Sequence, residues 1–297
     1  MSEKRGVEKG RLLHQVSLAP FTSWRIGGPA GHLYWPHDLN DLQNFLRTVP
    51  AEEPLTWLGL GSNILVRDGG IPGTVIITQG VLKNLSRQSE LEIYAEAGLS
   101  CAQVARFSAK QDLVGGAFLA GIPGTVGGAL SMNAGAFGGE TWSCVASVKL
   151  LNRTGEILIQ SADAFTAGYR TLVGLPDDHW FVAANFVFQP GPGEGGFAEI
   201  KQLLAKRAAT QPTGEPSCGS VFRNSEGQHA AQLIESLGLK GFTVGQAQIS
   251  EKHANFIINQ GGASAKAVEA LIAHIQDKVQ VAYGITLKPE VRILGVD

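Results

Sequence analysis

Four places in the sequence carry side chains whose types and spacing suit chemistry. The stretch Pro216–Asn224, PSCGSVFRN, sets the Cys218 thiol and the Ser220 hydroxyl two residues apart. Gly219 between them permits backbone angles closed to other residues, and Arg223 and Asn224 add donors. The thiol suits a nucleophile in acyl or redox transfer; the hydroxyl suits a nucleophile, a proton donor or a turn, and the stretch alone leaves these open. Glu290 and Arg292 stand two apart in LKPEVRILG, so a strand there projects both from one face and Val291 and Ile293 from the other. A solvated ion pair on an edge strand is the plainer reading. Tyr169 and Arg170 follow a short helical run and precede the strand pattern WFVAANFVF, offering a cation to a cleft where a surface arginine is the commoner outcome. His253, in SEKHANFIIN, has no second histidine or carboxylate at ligand spacing and reads as a hydrogen-bonded structural residue. A G-x-S-x-G elbow is missing, and none of the seven histidines pairs with a nucleophile, so a hydrolase triad is not supported.

Two glycine-dense loops offer a different chemistry. GLGSNI, Gly59–Ile64, begins like a dinucleotide fingerprint but has Ile64 where the third glycine belongs, with no clear helix after it. GIPGTVGG, within Gly121–Glu140, lacks the Gly-Lys-Ser/Thr ending of a Walker loop. Both present successive backbone N–H groups unobstructed by side chains, with Ser62, Asn63, Thr125 and Asn133 as small donors. Such arrays bind a pyrophosphate without a net basic charge. Tight turns explain one loop as well; two loops of this density favour a cofactor.

The elements that must position these groups read as a mixed α and β chain. Asp38 caps an amphipathic helix through Leu39, Leu42, Phe45, Leu46 and Val49, followed by the strands LTWLGL and GTVIIT. LEIYAEAG is an alternating strand, and Ser100 and Gln103 stand at capping-box spacing before Val104 and Phe107. Strands follow near SVKLLN and GEILIQ. QPGPGEGG, Gln189–Gly196, predicts a loop ahead of a helix in which Phe197, Ile200, Leu203 and Leu204 share a face. HAAQLIESLG is a short helix ended by Gly238, and Ser264 starts a longer one carrying Val268, Leu271, Ile272, Ile275 and Val279 until Gly284 ends it. The final strand is ITLKPEVRILG.

Composition bounds the class. A chain of 297 residues suggests two or three domains. A net charge of -2 with 17% charged residues supplies no field for a nucleic acid but allows a local anion site. Three widely spaced cysteines and the charged start MSEKRGVEKGRLLHQVS predict a reduced, cytoplasmic protein with neither a signal peptide nor a membrane span. Its 38 glycines, about 13% against a usual ~7%, imply many tight turns or close ligand approaches.

In order, TSWRIGGPA, LGLGSNILVRDGGIPGTVI, GIPGTVGGALSMNAGAFGGE, YR, PSCGSVFRN, SEKHANFIINQGGASA and LKPEVRILG closely resemble the UDP-N-acetylenolpyruvoylglucosamine reductase family, from about Phe21 to Gly295. The short span between Tyr169 and PSCGS resembles the type without a long tyrosine-bearing lid. The resemblance implies an α+β, three-domain FAD-binding fold of the PCMH/vanillyl-alcohol-oxidase type with a C-terminal α+β substrate domain. The boundaries it implies are 1–78 completed by 285–297, 79–209, and 210–284. It implies that NADPH reduces FAD, leaves, and is replaced by the enolpyruvyl UDP-sugar, whose terminal alkene carbon then receives hydride during peptidoglycan precursor synthesis.

Residue by residue, the resemblance makes Arg170, Ser220 and Glu290 catalytic. Arg170 and Glu290 stabilise the charge that hydride addition builds, the latter only while it carries or shares a proton, and Ser220 gives a proton to the adjacent carbon. Tyr169, Asn224 and Arg292 are implied for substrate. For FAD the implied positions are Gly59, Gly61, Ser62, Asn63, Ile64 and Leu65 in the first loop. In the second they are Gly121, Pro123, Gly124, Thr125, Gly127 and Gly128, continuing to Asn133, Ala134 and Gly135. No metal, nucleic acid, membrane or obligatory protein partner is implied. Departures from the family pattern are Arg223 for a commoner lysine, Ser225 for a frequent proline, Leu172 for a serine, and Cys218 for a small residue such as alanine. Two other readings stand beside this one: another FAD-dependent oxidoreductase of the same superfamily, and a non-catalytic nucleotide-binding module, which would keep the loops without the polar trio.

Overall fold

The computed structural model describes residues 9–224 and 227–297; Ser225 lies outside the described residues. The chain divides into two compact units. The first comprises the chain through Gln15, His32–Gly59 and Gly73–Phe197; the second comprises Val16–Gly31, Leu60–Pro72 and Ala198–Asp297.

The first unit holds most of a sheet ordered Arg11–Ser17, Pro29–Trp35, Ile71–Ile77, Leu55–Leu58, whose last two strands run parallel, with Leu55 opposite Thr74. The helix Leu39–Leu46 begins where the Asp38 carboxylate accepts the Asp41 N–H at 2.8 Å. Its Leu42 and Leu46 are buried with Tyr34, Ile76, Leu151 and Val182. A second, antiparallel sheet is ordered Ile157–Ser161, Val145–Asn152, His179–Val187, Glu92–Glu96, Leu85–Arg87. The helix Cys101–Lys110 starts with a reciprocal cap. Gln103 N–H donates to Ser100 Oγ at 3.2 Å and Ser100 N–H to Gln103 Oε1 at 2.9 Å, a device that contributes about 1 kcal/mol.

In the second unit the antiparallel strands Thr243–Val244, Ala247–Ile249 and Ile257–Asn259 pack on the helix Ala265–Tyr283. That helix is capped by Ser264 Oγ, which accepts the Ala267 N–H at 3.1 Å, and ended by Gly284 in the left-handed region at φ +69°. The Asp68 carboxylate also accepts the Ala265 and Lys266 N–H groups. One core joins Val268, Leu271, Ile275 and Val279 to Trp24, Ile26, Leu65 and Val221. The Trp24 indole donates to Ile257 O at 2.7 Å, and Asn259 Nδ2 donates to Trp24 O at 2.9 Å.

Three elements differ from their sequence patterns. The helix over Gly193–Thr210 starts inside the predicted loop because Asp112, far off in sequence, accepts the Gly193 N–H at 3.0 Å. On that helix Ile200 is buried while Phe197 is exposed, so the two do not share a buried face. Tyr169 and Arg170 form the two-residue loop of a hairpin, Thr166–Gly168 with Thr171–Val173. The C-terminal strand is regular only over Arg292–Leu294, which pairs in parallel with Ile64–Val66. Pro289 has no N–H to extend a ladder and instead makes an isolated bridge with Phe222.

Candidate active site

In the first unit, Thr125 caps the helix Val126–Ser131 by accepting the Gly128 N–H at 3.5 Å. The Gly59 backbone lies directly against that cap, where a Cβ would sit 2.2 Å from Thr125 Oγ1. Gly59 is therefore a position that packing against Thr125 keeps free of a side chain. Gly127 is less confined, its added Cβ 3.0 Å from Ala97 Cβ, and at Gly128 the nearest atom would be 3.6 Å away. Gly128 is exposed, so packing within the protein does not demand a glycine there. Further along, buried Asn133 uses its side chain structurally. Nδ2 donates to Glu140 Oε2 at 2.9 Å and Gly168 O at 3.0 Å, and Oδ1 accepts the Trp142 N–H at 3.0 Å. The backbone here is also engaged: Ala134 N–H donates to Ala129 O at 2.9 Å, and Ala134 O accepts the Thr141 N–H at 3.0 Å.

Arg170 is fixed on the same loop. Its Nη2 donates to Gly135 O at 3.2 Å, and its guanidinium carbon lies 5.3 Å from the Tyr169 ring centroid. Its φ of +54° puts a non-glycine residue in the left-handed region, a strain of about 1–2 kcal/mol. The half-buried guanidinium and the exposed Tyr169 ring thus project together from the hairpin loop beside Gly135.

In the second unit, Gly61 takes φ +62°, and a Cβ there would meet Phe21 O at 2.3 Å. Among the described residues no protein acceptor takes the N–H of Gly61 or Ser62. Asn63 Nδ2 donates to Glu290 O at 3.2 Å, and Asn63 O accepts the Arg292 N–H at 3.1 Å. The first loop is thereby tied to the C-terminal segment, with Ile64 and Leu65 in the parallel pair.

Ser220 follows Gly219, which takes φ +83°. The residues after Ser220 are bonded to the same C-terminal segment: Glu290 N–H donates to Val221 O at 2.7 Å and Arg223 N–H to Lys288 O at 2.9 Å. The segment after Ser220 is therefore tied to the one that carries Glu290. Cys218 is buried, and its thiol is pushed up from its ordinary range first by burial and then by the Glu290 carboxylate, so it stays protonated and unreactive. Asn224 Oδ1 accepts the Ala230 N–H at 3.1 Å ahead of the helix Ala230–Ser236, and Arg292 is exposed.

Within the second unit, the Gly61 and Ser62 amides, without a protein acceptor among the described residues, suit an anion such as a pyrophosphate; within the first, the backbone at Gly128 is open. These loops correspond to a known pattern. Residues 30–161 match the model of an FAD binding domain, and residues 211–294 match that of the UDP-N-acetylenolpyruvoylglucosamine reductase C-terminal domain. The UDP-N-acetylenolpyruvoylglucosamine reductase of Methylococcus capsulatus is 56% identical over 287 residues, covering 97% of this chain and 94% of the relative. The chain belongs to the UDP-N-acetylenolpyruvoylglucosamine reductase family. That of Alkalilimnicola ehrlichii is 53% identical over 295 residues, 99% of this chain and 98% of the relative. The crystal structure of UDP-N-acetylenolpyruvylglucosamine reductase (MurB) from Thermus caldophilus superposes with a TM-score of 0.83 at 31% identity, over 96% of this chain and all of that one. The fold is accordingly an α+β FAD-binding fold with the reductase family's C-terminal domain, as the sequence motifs imply.

Sequence reading missed Asn255, which holds the Ser220 segment, and Glu140, which holds Asn133. A signal for Asn255 exists in HANFIIN: an amide inside a buried apolar run must find partners.

Proposed function

We infer that the protein reduces UDP-N-acetylenolpyruvoylglucosamine to UDP-N-acetylmuramate with NADPH, in peptidoglycan precursor synthesis. The observation that supports this reading is the bond from Glu290 N–H to Val221 O, which ties the segment after Ser220 to the one that carries Glu290, itself tied to the first glycine loop through Asn63. The backbones of Gly59–Leu65 and Gly121–Gly135 would hold FAD, which would supply the hydride chemistry that links NADPH to the enolpyruvyl double bond.

The chain's own residues handle charge and protons. Hydride arriving at the terminal carbon leaves the electron pair of the double bond on the adjacent carbon and its carboxylate. The Arg170 guanidinium, held in one orientation by Gly135 O, stabilises that charge, and so does the Glu290 carboxyl. One such preorganised donor contributes on the order of 3 kcal/mol to the transition state. Ser220 Oγ–H then gives its proton to the adjacent carbon, completing the new C–H bonds and leaving an alkoxide that regains a proton from solvent. Tyr169, Asn224 and Arg292 bind the UDP-sugar. The domains serving these steps are 1–78 with 285–297, 79–209 and 210–284. No helix among the described residues is long and apolar enough to cross a membrane, and a nucleotide-sugar substrate suits a cytoplasmic enzyme.

The purified protein is expected to be yellow, to bleach with NADPH, and to regain its colour on adding the enolpyruvyl UDP-sugar. A protein that binds no FAD, or one bleached by NADPH but not restored by this substrate, refutes the reading.

A further inference from the structure

Ser220 follows Gly219 at φ +83°, and the geometry points to Asn255 as the residue that positions the Ser220 segment. This rests on the reading of Ser220 as proton donor. Asn255 is 3% exposed and grips the segment after Ser220 at three points. Its Oδ1 accepts the Phe222 N–H at 2.9 Å, its Nδ2 donates to Phe222 O at 2.8 Å, and its backbone O accepts the Val221 N–H at 2.9 Å. One side-chain amide thus satisfies both the donor and the acceptor of a buried residue, as a neighbouring strand would. Across the same segment, Val221 O takes the Glu290 N–H and Phe222 bridges Pro289. Val221 and Phe222 are therefore held between Asn255 and the residues that carry Glu290, so Asn255 fixes the backbone from which Ser220 projects.

Asn255 is itself held. Its N–H donates to His253 Nδ1 at 3.3 Å, and the His253 and Lys252 N–H groups both donate to the buried Ser250 Oγ. Ser250 N–H closes the turn on Phe256 O at 2.8 Å. The turn Ser250–Phe256 acts as a rigid mount for one amide. An apolar residue at 255 would leave the Phe222 N–H and C=O buried without partners, freeing the Ser220 segment to shift.

The test separates the two half-reactions in holoenzyme. Asn255→Asp keeps the acceptor for Phe222 N–H and loses the donor to Phe222 O; Asn255→Ala loses both. Each is expected to bleach with NADPH within about twofold of wild type and to be reoxidised by the enolpyruvyl substrate at least tenfold more slowly, at unchanged substrate KM. In a Ser220→Ala background the same substitutions are expected to cost less than threefold more, because the group they position is already gone. Equal slowing of both half-reactions, or a tenfold loss that persists in the Ser220→Ala background, overturns the assignment. If Ser220→Ala alone leaves reoxidation intact, it is the proton-donor reading that fails. Amide hydrogen exchange of the wild-type protein supplies a readout independent of folding in the variants: the Phe222 amide is expected to be protected like the core of Ala265–Tyr283. Exchange at a loop-like rate overturns the clamp.

Discussion

Gly128 separates what the protein needs from what a ligand needs. The residue lies in the first turn of Val126–Ser131, with ordinary helical geometry, and an added Cβ meets nothing closer than Thr125 Oγ1 at 3.6 Å. Gly128→Ala therefore removes unfolded-state entropy without a clash, worth about 0.5–1 kcal/mol. At roughly 2–4 °C per kcal/mol the apo protein gains about 2 °C in Tm. If the FAD pyrophosphate approaches this backbone, the same methyl intrudes on the ligand, and overpacking of about 1–3 kcal/mol raises the Kd for FAD roughly 5- to 150-fold. The two effects have opposite signs. Thermal unfolding with and without saturating FAD, together with an absorbance titration of apo protein, reads both. FAD affinity within twofold of wild type refutes the placement of cofactor on this loop; a lower apo Tm refutes the open geometry at Gly128.

Ser220→Ala is expected to leave flavin reduction by NADPH nearly unchanged and to slow reoxidation by substrate by about 10²–10⁴, seen in stopped-flow absorbance; two unaffected half-reactions remove Ser220 from the mechanism. Burial pushes the Cys101 and Cys144 thiols up to about 12, and burial with help from Glu290 raises Cys218 as well. The native protein should therefore resist iodoacetamide at pH 8 while the unfolded chain reacts at all three cysteines, and Cys218→Ala should retain near-wild-type turnover. His253 is lowered by burial and by Lys240. The unfolded chain then binds more protons just below the ordinary histidine range, so stability falls as pH drops from the unfolded value through the folded one. Tm measured from pH 7.5 to 5 should show this decline, and His253→Gln should flatten it; an unchanged slope would assign the decline to other groups.

Local signals in the sequence survived folding where they were self-contained. The Asp38 and Ser264 caps, the Ser100/Gln103 capping box and the glycine stops at Gly238 and Gly284 each depend on atoms within a few residues, and all are present. The helix from Gly193 was illegible because Asp112 holds its first N–H from another part of the chain. Periodicity in PEVRILG implied one continuous strand, but Pro289 and the bond from Glu290 N–H to Val221 O divert the backbone before Arg292. In the site, types were readable and placements were not. A hydroxyl, a guanidinium and a carboxyl stood out by motif, whereas the anchoring of Arg170 on Gly135 O and the Asn255 clamp come from contacts 33 or more residues apart.

The core that contains Val221 also contains Trp24, Ile26 and Leu65, and Ile64–Val66 pairs with Arg292–Leu294. During synthesis the early segments leave the ribosome almost a full chain ahead of their partners. Trp24 must wait, its indole N–H served only by water, until Ile257 has been made and released. A nascent chain cut after residue 210 would expose Trp24, Ile26 and Leu65 as an adhesive apolar surface. Conversely, the span 211–294 produced alone would lack the ring that fills its centre. The second unit can complete its core only when translation is nearly over, because the final helix and strand supply much of it.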